Sequence, residues 1–106
     1  MRHERFGGVG QRSPNTLLLL DERDQFLRAA AAHFPGLSDR EIARRLRSRL
    51  LIYRNGRWRR SCAELKAPHP PEKIDAVLWA ILKVRDAVPS ERTIRAALAG
   101  DLRREP

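Results

Sequence analysis

The strongest constraint on this chain is the stretch from Leu37 to Arg60, LSDREIARRLRSRLLIYRNGRWRR. Ile42, Leu46, Leu50 and Tyr53 recur there at three- and four-residue spacing, the period of an amphipathic α-helix. Ser38 is a favourable N-cap residue, and Glu41 follows three positions later, the spacing of a capping box. On a helical wheel of about 100° per residue, Arg40, Arg44, Arg47 and Arg54 fall opposite the apolar stripe. Arg45 and Arg49 flank the stripe and can lay their aliphatic stems along it. A helix with one apolar face must bury that face against other elements.

Two continuations are open at Asn55-Gly56. Either Gly56 ends the helix in the left-handed C′ position, or Asn55-Gly56 forms a type I′ turn joining residues 51–54 to 57–60 in a hairpin. The apolar period before it favours the helix end. Two readings are also open for Trp58, which lies among Arg57, Arg59 and Arg60. It can stack on an exposed base, or it can anchor its segment to the core while its neighbours stay solvated.

The rest of the chain reads as further helices separated by breaks. Residues 1–16 are polar, basic and without period, which predicts a flexible N-terminal arm. A helix is expected from about Leu17 to His33, with Leu20, Phe26, Leu27, Ala30, Ala31 and Phe34 near one face and Pro35-Gly36 as its stop. Asp21, Glu22 and Asp24 make it the acidic counterweight of the chain. Residues 61–65 suggest a short helical turn that packs Cys62 and Leu65 inward. The prolines of residues 66–71 form a connector, with His69 solvated. Residues 72–86 carry the core helix, with Ile74, Val77, Leu78, Ile81 and Leu82 on its apolar face and Pro71 near its first turn. Val88-Pro89 breaks it, and Ser90 caps a last helix with Ile94, Ala97 and Leu98 inward. The expected architecture is all-α: a small bundle of four main helices, forming one domain over residues 17–104.

Charge narrows the function. Within residues 37–60, nine arginines meet only Asp39 and Glu41, a balance of 9 − 2 = +7 against +9 for the whole chain. Such a surface repels itself unless a polyanion lies against it. Of the 22 basic residues only Lys66, Lys73 and Lys83 are lysines, and arginine suits bidentate phosphate and guanine contacts. The reading is nucleic-acid binding, with duplex DNA ahead of RNA. Arg44, Arg47, Arg54, Arg57, Arg59 and Arg60 are the expected phosphate grip, with Trp58 beside them. A rival from another class is a protein-interaction module for an acidic partner, using Leu51 and Ile52 next to the arginines.

Other chemistries find no support in the residues. Cys62 is the single cysteine, so no intrachain disulfide forms and an oxidising compartment is not implied. The run Leu17–Leu20 is far short of a membrane span, and a cytoplasmic location is the default expectation. His3, His33, Cys62 and His69 are too scattered for a metal site. No phosphate-cradling glycine loop and no paired carboxylates in an apolar setting occur. Neither an enzyme nor a cofactor is expected.

Two stretches resemble helix-turn-helix DNA-binding proteins. In LSDREIARRL, the residues Ser38, Glu41, Ile42, Ala43 and Leu46 match the capped first helix of that family. Trp79 to Leu98, WAILKVRDAVPSERTIRAAL, is similar to its turn and recognition helix, with Ala80 as the small residue of the first helix. Val88-Pro89-Ser90 stands where the family has a turn glycine. The resemblance implies that Arg92, Thr93 and Arg95 face the groove, where arginine reads guanine edges and threonine a thymine methyl or a phosphate. A palindromic site would require a homodimer.

Overall fold

A computed structural model describes residues 14–100, and residues 1–13 of the arm expected over 1–16, with the tail from Asp101, lie outside them. Five helical segments occur among the described residues, with no strand. They are α1 (Pro14–Ala31), α2 (Asp39–Asn55), α3 (Arg57–Ser61), α4 (Ile74–Val84) and α5 (Glu91–Leu98). Four are main helices, and α3 is a single short one.

Pro14 opens α1, where its missing N–H costs nothing and its fixed φ suits the helix. The helix therefore begins before Leu17, inside the stretch read as an arm. After Ala31 the chain turns tightly, and Gly36 at φ +82° takes the left-handed conformation that glycine adopts without a steric penalty. Ser38 then caps α2, its Oγ accepting from the Glu41 amide at 3.2 Å. Glu41 does not return the bond expected of a capping box. Its carboxylate turns instead to Arg44 and Arg45.

Asn55-Gly56 closes α2 and leads directly into α3. This excludes the hairpin. Gly56 has φ −123°, so it is not the left-handed cap that the sequence suggested. Its N–H donates to the Tyr53 carbonyl and its carbonyl accepts from the Arg59 amide, both at 3.1 Å. Helix α4 starts at Ile74, later than expected, because a turn closed by Lys73 N–H on the Pro70 carbonyl holds Pro71 and Glu72 outside it. Ser90 caps α5 as expected, accepting from the Thr93 amide at 3.1 Å. Arg28 of α1 covers the far end of α5 by donating to the Ala97 carbonyl at 3.0 Å, which also accepts from the Gly100 amide at 3.1 Å.

Helix α4 lies along α1, and α5 rests on α2 and α1, with little packing between α4 and α5 themselves. The fully buried side chains are Leu27, Leu46, Leu50, Leu78, Ile81, Leu82 and Ile94, so each of the four main helices contributes its predicted apolar stripe. Trp58 and Trp79 meet edge to face in the same cluster. Asp24 departs from the expectation for α1: it is 2% exposed and lies beside Arg23, which is also buried. No helix among the described residues is long and apolar enough to cross a membrane.

Candidate nucleic-acid interface

Burying Ile42, Leu46, Leu50 and Tyr53 fixes the rotation of α2 and turns its arginines outward. They spread around the exposed surface in three groups. Arg44, Arg45, Arg47 and Arg49 line an open groove of about 590 Å³, with Phe34 and Leu51 beside them and Glu91 of α5 at the edge. Arg49, Arg57 and Arg60 meet at a second cleft of about 340 Å³ next to α4. Arg54 and Arg59 lie at a third, of about 350 Å³, with Trp58 and Asp86. The grip expected from sequence is thus distributed over α2 and α3.

Acids divide these arginines into two kinds. Glu41 binds Arg44 and Arg45 at once, and hydrogen bonds first from Arg45, then from Arg44, hold its carboxyl below the usual value. The Arg44 guanidinium is correspondingly raised, chiefly by its hydrogen bond to Glu41. Arg57 pairs with Asp75 at the start of α4. Arg54 donates its Nε to Asp86 Oδ1 at 2.8 Å and reaches the Asp86 carbonyl at 3.4 Å. By contrast, among the described residues no acid lies within 4.0 Å of Arg47, Arg49, Arg59 or Arg60.

Trp58 is not available for base stacking. Its side chain is 5% exposed, its ring packs on Trp79, and its Nε1–H donates to Asp86 Oδ1 at 3.1 Å. The anchoring alternative is the one the fold adopts, because α3 is helical and turns the indole inward while Arg57, Arg59 and Arg60 stay exposed. Thr93 is also constrained: it is half-buried, and its hydroxyl accepts from the Ser90 hydroxyl at 3.1 Å. Arg92 and Arg95 are exposed on α5 and line none of these three clefts.

The following segment also differs from expectation. Cys62 points outward and Leu65 is 91% exposed, because the chain leaves the core after Ser61. His69 is half-buried, and its Nε2 is 2.7 Å from the Tyr53 hydroxyl. Trp79 Nε1 donates to the Ser61 carbonyl at 2.9 Å, and Lys83 Nζ to the Cys62 carbonyl at 2.8 Å. The His69 contact ties the proline-rich connector to the core, and the other two bonds tie the end of α3 to α4. Asp75 and Asp86 carried no signal in the sequence as partners of Arg57 and Arg54, from which they are 18 and 32 residues distant.

The sequence matches no protein family, and neither curated proteins nor solved structures yield a match to the chain.

Proposed function

We propose that this protein binds nucleic acid, duplex DNA in preference to RNA, mainly through phosphate contacts from α2 and α3. The observation that carries this reading is the set Arg47, Arg49, Arg59 and Arg60, solvent-accessible cations with no acid partner among the described residues. Unneutralised charge of one sign on a folded surface is repulsive and is relieved by a polyanion. The arginines from Arg40 to Arg54 are spread over about 21 Å of helix axis at about 1.5 Å per residue. That length faces roughly six base pairs at about 3.4 Å each. Arg44 contributes while sharing Glu41, and Arg54 and Arg57 contribute by exchanging a carboxylate for a phosphate. Arg92 and Arg95 supply base contacts in this reading, the role suggested by the helix-turn-helix resemblance. A regulator of transcription and an accessory protein of a mobile element both fit such a surface.

The test is fluorescence anisotropy with a random-sequence duplex across a salt series, for wild type and for the variant Arg47→Ala/Arg59→Ala/Arg60→Ala. Each phosphate contact contributes about 0.9 to the slope of log K against log salt. Three lost contacts flatten the slope by about 2.7 units. An unchanged slope removes these residues from the interface, and no binding by wild type at low salt refutes the proposal. A hairpin RNA of equal length, run in parallel, decides between DNA and RNA.

A further inference from the structure

The cleft beside α4 brings arginines of α2 and α3 together with apolar side chains of α2 and α4. Leu78 and Tyr53, 1% and 4% exposed, form its floor, and Ile52, 69% exposed, forms one wall. Arg49, Arg57 and Arg60 stand around it, and Asp75 of α4 is also in its lining. Arg57 and Arg60 also border a further cleft toward Pro68 and His69, so they form a ridge between two hollows. A backbone phosphate in a duplex needs cations but no apolar floor, since its base remains stacked in the helix. A nucleotide released from pairing presents both a phosphate and an apolar base face. The volume, about 340 Å³, lies near the lower end of the roughly 300–1,000 Å³ typical of small-ligand pockets. It suits one nucleotide better than the face of a partner helix.

We infer that this cleft receives an unpaired nucleotide, with its phosphate held by Arg49, Arg57 and Arg60 and its base laid against Ile52 above Leu78. The inference rests on the nucleic-acid reading and names the feature that the site recognises: an overhang, bulge or loop next to a duplex. Arg57 enters by leaving Asp75, whose carboxylate occupies the guanidinium in the free protein. The duplex lies along the groove of Arg44 and Arg47, which continues into this cleft through Arg49, the residue common to both.

Two duplexes of identical sequence test it, one blunt and one with a single unpaired adenine nucleotide at a 3′ end. Wild type is expected to bind the second about tenfold more tightly, the gain from burying roughly 50–60 Å² of apolar surface at about 25 cal/mol per Å². Ile52→Ser, at an exposed position where the fold tolerates it, should abolish the preference and leave affinity for the blunt duplex unchanged. Equal affinity of wild type for the two duplexes overturns the cleft while leaving the duplex reading intact. A preference that survives in Ile52→Ser overturns it as well. Failure to bind either duplex at low salt overturns both readings. In that event a fluorescent peptide of alternating glutamate and leucine, bound by wild type and lost in Ile52→Ser, would assign the cleft to an acidic protein partner.

Discussion

Asp86 holds two elements at once, and its removal should cost more than an exposed ion pair. Its Oδ1 accepts from Trp58 Nε1 at 3.1 Å and from Arg54 Nε at 2.8 Å. It thereby fastens the segment between α4 and α5 to α2 and α3. In Asp86→Ala the indole N–H loses its partner, and leaving a largely buried donor unsatisfied costs about 1–3 kcal/mol. The Arg54 pair, with side chains 43% and 58% exposed, adds no more than about 1 kcal/mol after solvent screening. The expected loss is about 2–3 kcal/mol, against less than about 1 kcal/mol for Arg54→Ala. At roughly 4–8 °C per kcal/mol for a domain of this size, the melting temperature of Asp86→Ala falls by about 10–20 °C. Urea unfolding followed by circular dichroism measures both variants. A double-mutant cycle with Trp58→Phe should show a coupling of about 1 kcal/mol or more. If Asp86→Ala is no less stable than Arg54→Ala, the indole bond contributes nothing and the reasoning fails. The same substitution frees Arg54 and removes a negative charge, so duplex affinity should rise as stability falls.

Two further outcomes follow from the same contacts. Tyr53 is the only tyrosine, and burial is the main cause of a pKa raised above its ordinary 10.0. A raised folded-state value means that its contribution to stability is complete below pH 10.0 and is lost as pH climbs through the folded-state pKa. The urea midpoint should therefore fall in strong alkali, and Tyr53→Phe should remove this step; an identical alkaline fall in the variant would assign it elsewhere. Asp75→Asn releases Arg57, so duplex binding should tighten at low salt with the salt slope unchanged, since Arg57 meets a phosphate in both proteins; an unchanged affinity would show that Arg57 does not reach the phosphates.

The parts of the fold that were legible in the sequence are those set by neighbours three or four residues apart. Ser38 and Ser90 mark the starts of α2 and α5 because an N-cap acts on an amide in its own first turn. The stripes Ile42–Leu46–Leu50–Tyr53 and Leu78–Ile81–Leu82 follow from helical period alone, and they fix which arginines face outward. The sequence offered the inward turn of Trp58 as one of two readings, and deciding between them depends on the chain re-entering a helix at Arg57 and on Trp79 and Asp86 arriving from α4 and its C-terminal side. The outward position of Leu65 has the same origin: the chain beyond Ser61 is drawn along the surface by bonds to Trp79 and Lys83. Glu41 was read as half of a capping box, yet two guanidinium groups within one helical turn outcompete a single backbone amide for its carboxylate.

The division of arginines by acid partner bears on why the chain carries them. An arginine retained for folding should have a partner within the fold, as Arg54 has Asp86 and Arg28 the Ala97 carbonyl. Arg47, Arg59 and Arg60 have no acid partner among the described residues, and in the free protein they supply three of the charges that bring the chain to +9. Replacing all three by alanine should leave stability unchanged or slightly increased at low salt, while the same variant loses duplex affinity. A destabilised variant would mean that these side chains support the fold, through stems laid on the surface, and that their charge is incidental. Stability retained together with lost binding is the pattern expected when a surface is kept for a ligand at some cost to the folded state.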